Sequence, residues 1–138
     1  MFQRIIRKFG QRTHKRFTIP GATVAWTYVG QEFIPDETLP LSDISRSGLS
    51  FLTNHPPNVA SELSIRLNLP KQPGAIEVHG RVVYSLLRGP NLTYEYRVGV
   101  ELRPFSKIPG DNSLQSQKAI EELEHTYGKK SDMQLIER

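Results

Sequence analysis

The stretch Ile76–Leu102, IEVHGRVVYSLLRGPNLTYEYRVGVEL, decides the fold class. Ile76, Val78, Gly80, Val82 and Tyr84 occupy every second position, and Tyr94, Tyr96, Val98, Val100 and Leu102 alternate with Glu95, Arg97, Gly99 and Glu101. A period of two puts apolar groups on one face and polar groups on the other, the pattern of a half-buried antiparallel strand. Gly89-Pro90-Asn91 interrupts the two runs, so the reading is a hairpin of the two longest strands. Gly80 and Gly99 lie inside these runs, where glycine suits a bend or a close approach at a barrel corner.

The same period extends outward. Leu63, Ile65, Leu67 and Leu69 alternate with Ser64, Arg66 and Asn68, and Val24, Trp26 and Tyr28 alternate with Ala25 and Thr27. Segments at about 32–43 and 47–53 bring the total to about six strands, separated by breakers at Gly30, Pro35–Asp36, Pro56-Pro57 and Pro70–Gly74. Six short strands with one polar face make a small barrel or a sandwich, and closure into a barrel removes exposed edges. After Pro109 and Gly110 the pattern turns helical. Asp111 or Ser113 can cap the helix, Leu114, Ile120, Leu123 and Tyr127 form its apolar stripe, and Gly128 followed by Lys129 and Lys130 reads as its end. The expectation is a helix over 111–128 covering one barrel opening, then a tail over 129–138.

A chain of 138 residues, 37% hydrophobic and 23% charged, supports one soluble domain with its own core. The absence of cysteine excludes disulfides, thiolate metal sites and a cysteine nucleophile. The apolar runs are too short for a transmembrane helix. The formal net charge is +4, but its distribution is uneven. Residues 1–16 carry six basic groups and no acid, while the other 122 residues carry 12 basic and 14 acidic groups. Within that basic segment Phe2, Ile5, Ile6 and Phe9 fall on one helical face before Gly10. This predicts a short basic amphipathic helix over 1–10. It packs on the domain or on a second subunit, or residues 1–9 lie peripherally on an anionic membrane. Its arginines interrupt every apolar run that a secretory signal needs.

Nothing in the chain reads as catalytic. His14, His55, His79 and His125 have no metal-ligand spacing, and HExxH, G-x-S-x-G and Walker patterns are missing. Glu121, Glu122 and Glu124 beside Lys118 read as a solvated helix face. No catalytic residue, metal or cofactor is expected.

Two short patterns remain. Arg12 and Arg16 stand four apart in the basic segment, and Asp43-Ile44-Ser45-Arg46-Ser47-Gly48 lies between two expected strands. The first alone is common in basic tails. The second alone describes a turn, with Asp and Ser bonding backbone and Gly relieving sterics. In this order, followed by alternating strands, they resemble the RxxxR and [D/N]xSxxG motifs of the PilZ domain family. Val98-Gly99-Val100-Glu101-Leu102 is similar to that family's closing strand, and the polar Pro70–Gly74 loop falls in a familiar place. The resemblance covers about residues 11–106. It implies a mainly β fold, a six-stranded antiparallel barrel with a C-terminal helix over 11–128, and the bacterial second messenger cyclic di-GMP as ligand.

The resemblance assigns ligand binding to Arg12, Arg16, Asp43, Ser45 and Gly48, with Gln11 and Arg46 as further candidate contacts. These residue types suit the ligand. Arginine donates a bidentate pair to guanine O6 and N7, forks onto phosphate and stacks on base planes. A carboxylate only accepts, so Asp43 matches the N1–H and N2–H₂ donors of guanine. Ser45 can donate to phosphate or base, and Gly48 leaves room at the surface. The position before the first motif arginine bears on whether one ligand or a stacked pair binds, and here it is Gln11. The expected function is a non-enzymatic, cytoplasmic cyclic di-GMP receptor in motility or biofilm regulation. Its basic N-terminal loop closes over the ligand and exposes a surface for a protein partner not named by the sequence. The alternative is a PilZ-like adaptor that binds no nucleotide. The expected state is monomer or homodimer. No specific nucleic-acid binding is expected, because the domain behind the basic segment is net negative and lacks an aromatic row interleaved with basic residues.

Overall fold

The structure, a computed structural model, describes residues 14–34 and 37–136, with side chains through Lys129. Six strands, β1 (Thr23–Tyr28), β2 (Leu39–Ile44), β3 (Gly48–Thr53), β4 (Glu62–Asn68), β5 (Ala75–Leu87) and β6 (Tyr96–Leu102), precede one helix, α1 (Leu114–Ile136). The strands close into a barrel in the order β1-β2-β3-β6-β5-β4, every neighbour antiparallel. The expected β5–β6 hairpin is present, registered from Leu87 opposite Tyr96 to Gly80 opposite Leu102.

Alternation sets what lies inside. Along β4, Leu63, Ile65 and Leu67 are buried while Arg66 faces solvent. Val24, Ile44, Leu49, Phe51, Val78, Val82, Val98 and Val100 complete the centre of the core. Each such side chain contributes roughly 1.5–3 kcal/mol on burial. Trp26 packs on this core from the barrel wall, edge-on to Tyr28 with ring centroids 5.3 Å apart. The two strand glycines are places of close approach. The Tyr84 ring occupies the space where a Gly99 side chain would be, next to a β5 irregularity between Val82 and Tyr84, and a Cβ on Gly80 would meet the Glu101 carbonyl oxygen.

The helix shares the barrel core through Ile120 and Leu123. Ser113 is its N-cap, its Oγ accepting the Ser116 N–H at 3.0 Å. Just before it, buried Asn112 fastens the helix entry to the barrel. Its Oδ1 accepts the His79 N–H at 2.7 Å, and its Nδ2 donates to the carbonyls of His79 and Arg103 at 3.0 and 2.9 Å. Among the described residues no helix is long and apolar enough to cross a membrane.

Three expectations are corrected. The segment 32–43 is strand only from Leu39. Its first part is held by side chains instead of a ladder: Phe33 lies under the Arg66 guanidinium at 4.1 Å, Thr27 Oγ1 donates to the Glu32 carbonyl, and Ile34 faces solvent. The helix does not stop at Gly128 but runs to Ile136. Gly128 keeps helical φ because no proline follows, and an interior glycine costs only about 1 kcal/mol. Leu114, placed on the apolar stripe, is exposed, since it opens the first turn beyond the barrel wall. The short basic helix expected over 1–10 lies outside the described residues.

Candidate functional site

The site is built where the chain before β1 meets the β2–β3 turn. Phe17 and Ile44 exchange both backbone hydrogen bonds, Phe17 N–H to the Ile44 carbonyl at 2.9 Å and Ile44 N–H to the Phe17 carbonyl at 3.0 Å. Phe17 buries its ring in the core, so this bridge is anchored from both sides. Arg16 is thereby set beside Asp43, one residue before Ile44 in β2. Arg16 Nη1 donates to Asp43 Oδ1 at 3.0 Å.

The turn itself is short and tied. Ser45 N–H donates to the Gly48 carbonyl at 2.7 Å, and Leu102 N–H of β6 donates to the Ser47 carbonyl at 3.0 Å. Ser45 is fully buried. Its Oγ accepts the Ser47 N–H and shares a hydrogen bond with Ser47 Oγ, both at 3.1 Å. The hydroxyl therefore shapes the turn and does not reach Asp43. Gly48 has ordinary negative φ, so its role is space and not backbone freedom. A Cβ there would lie 2.5 Å from Arg16 Nη2 and 2.8 Å from the Val100 carbonyl oxygen.

Two residues join this group that the sequence reading did not single out, Ser50 and Arg97. Ser50 lies opposite Asp43 in the β2–β3 register and donates from Oγ to Asp43 Oδ1 at 2.8 Å. Arg97 of β6 donates from Nη2 to Asp43 Oδ2 at 2.8 Å, and from Nε and Nη2 to Ser50 Oγ at 3.3 and 3.2 Å. The signal for them was the register. Asp43, Ser50 and Gly99 form one cross-strand row, and Arg97 is one period-two step from Gly99. The outcome is a carboxylate, 14% exposed, gripped by an arginine on each oxygen. Charge-assisted bonds of this kind are about twice as strong as neutral ones.

Arg46 points elsewhere. Its Nη1 donates to Glu121 Oε1 at 3.2 Å and its Nε lies 3.7 Å from Glu124 Oε1, tying the turn to α1. Between residues 15–17, Arg46 and the α1 residues Glu121, Glu124, His125, Gly128 and Lys129 lies an open cleft of about 500 Å³. Arg16 is the group common to this cleft and the Asp43 cluster. Of the site residues expected from sequence, the structure brings together Arg16, Asp43 and Gly48, places Ser45 in the turn beneath them and turns Arg46 toward the helix. Gln11 and Arg12 lie outside the described residues. Among the described residues no three His, Cys, Asp or Glu side chains gather as a metal site would require.

Residues 11–116 match the family model of the PilZ domain, and the chain belongs to that family. Among solved structures, the chain is similar to the PilZ domain with c-di-GMP of YcgR from Escherichia coli, at 14% identity and a TM-score of 0.59, covering 93% of this chain and 99% of that one. It is also similar to the Bacillus subtilis inhibitor of motility MotI/DgrA, at 17% identity and a TM-score of 0.56. That match covers 80% of this chain, which spans about half (47%) of the Bacillus protein. At these identities the likeness is one of fold. No curated protein sequence matches the chain.

Proposed function

We propose that this chain is a non-enzymatic receptor for cyclic di-GMP, built to present a ligand-dependent surface to a protein partner. The observation that carries the reading is the placement of Arg16 on Asp43 and over Gly48. It unites, at the barrel surface, two motifs 27 residues apart. Membership of the PilZ family and the likeness to a PilZ domain with c-di-GMP support it.

The ligand carries two phosphates and two guanines. Arg12 and Arg16 supply guanidinium forks for these groups, and Asp43 supplies the acceptor for a guanine edge. The Phe17–Ile44 bridge is the hinge post: residues before it close over the turn, and the barrel behind it stays fixed. Closure of a basic segment onto a rigid scaffold is an order–disorder switch, and the closed segment with its ligand is the surface a partner reads. Control of motility, the role named for the Bacillus protein, is the downstream process we favour.

Titration calorimetry of the purified chain tests the reading. Binding should be detected below about tens of micromolar, and its absence there sinks the proposal. Arg12→Ala and Arg16→Ala should each weaken binding about tenfold or more, while Lys71→Ala, an exposed lysine outside the cleft, changes it little. Equal losses in all three would mean simple charge attraction.

A further inference from the structure

We infer that Arg97 is a positioning residue for guanine recognition: it holds Asp43 in place while Arg16 leaves Asp43 for the ligand. The inference rests on the cyclic di-GMP reading and deepens it.

The two arginines on Asp43 are held differently. Arg97 has three short contacts, one to Asp43 Oδ2 and two to Ser50 Oγ. Ser50 is fully buried and itself donates to Asp43 Oδ1, so Arg97, Ser50 and Asp43 close a ring of hydrogen bonds. All three lie on adjacent strands of a closed barrel. Arg16 also reaches Asp43 through a single nitrogen, but its Nε is buried with no hydrogen-bond partner. It sits on the chain before β1 and lines the open cleft. One arm of the clamp belongs to the scaffold and the other to the segment that closes.

This asymmetry settles what happens when a guanine arrives. Arg16 transfers to the guanine O6/N7 edge, which frees acceptor capacity on Asp43 Oδ1. The guanine N1–H and N2–H₂ donors match that acceptor. Asp43 stays aimed and charge-compensated because Arg97 still occupies Oδ2. Without Arg97 the carboxylate would keep Arg16 as its sole cation, and the ligand would have to break that last ion pair. A largely desolvated carboxylate left without a cation is strongly disfavoured.

The test compares cyclic di-GMP with cyclic di-AMP, whose adenines present an acceptor at N1 where guanine presents N1–H. Titrations use the full chain. In wild type, cyclic di-GMP should bind and cyclic di-AMP should bind much more weakly. Arg97→Met should weaken cyclic di-GMP about tenfold or more and leave cyclic di-AMP within about twofold, so that discrimination collapses. Arg97→Lys, which restores charge without the fork, should recover part of the loss, and Ser50→Ala should move in the same direction by less. These two milder variants decide the matter if Arg97→Met does not fold. An equal loss for both dinucleotides would overturn the inference and make Arg97 a diffuse charge, and unchanged cyclic di-GMP affinity would overturn it as well. Absence of binding by the wild type would instead remove the receptor reading, and this inference with it.

Discussion

A methyl group added at Gly48 would press on Arg16 Nη2 and on the Val100 carbonyl oxygen, a flexible group on one side and strand backbone on the other. Only the guanidinium can yield, so Gly48→Ala should cost stability and also fill the space from which Arg16 would meet the ligand. We expect a loss of about 1–3 kcal/mol in urea unfolding together with loss of cyclic di-GMP binding in calorimetry. Undiminished ligand affinity would show that the open space at Gly48 is immaterial to binding. Arg16, Asp43 and Gly48 were legible in the sequence because their spacing is a family motif. Ser45 was legible as a residue, but its orientation was not: a serine in a tight turn can face the ligand or the backbone, and here it bonds the Ser47 N–H. Arg97 and Ser50 were illegible because they meet Asp43 only through the register of three strands, which no local spacing reveals.

Strands with strict alternation were readable from periodicity, as β4, β5 and β6 show. The start of β2 was not, because Phe33 finds its partner in the Arg66 side chain across the surface and no ladder is needed. The helix end was misplaced for a related reason: Gly128 marks a stop only where the chain after it turns away. The joints between elements carry two further predictions. Asn112→Ala would strand the His79 N–H and two carbonyls, and should lower stability by about 2–4 kcal/mol in chemical unfolding. Arg46→Ala removes the ion pairs from the β2–β3 turn to α1. Partly exposed pairs contribute about 0.2–1 kcal/mol, so the amides of residues 121–128 should exchange up to about fivefold faster, with little change in global stability. Unchanged exchange there would mean that Ile120 and Leu123 alone hold the helix.

Barrel and helix enclose one continuous core, since Ile120 and Leu123 belong to the same cluster as Val24 and Phe51. Ile120→Ala should therefore destabilise the whole chain by about 2–4 kcal/mol. Unfolding followed by Trp26 fluorescence, which reports the barrel, should coincide with unfolding followed by far-ultraviolet circular dichroism, which also reports the helix. Two separated midpoints would mean that the helix is an independent unit. The charge follows the same division: the positive excess lies in residues 1–16 and the rest is close to neutral, so the charge available to draw in an anion is concentrated before the barrel begins. Around the barrel wall, closure is uneven. β1 and β4 register over six residue pairs, but β1 and β2 over only two, Thr23 with Pro40 and Val24 with Leu39, and Pro40 has no N–H to donate. The wall thus has a weak stave. Under pressure or mild denaturant the barrel should breathe there first, parting along the β1–β2 line while Asp43, seated farther along β2 between β3 and the Phe17 bridge, keeps its place. A barrel that loosens at one seam and stays rigid at the Asp43 edge can absorb strain without moving the residues gathered there.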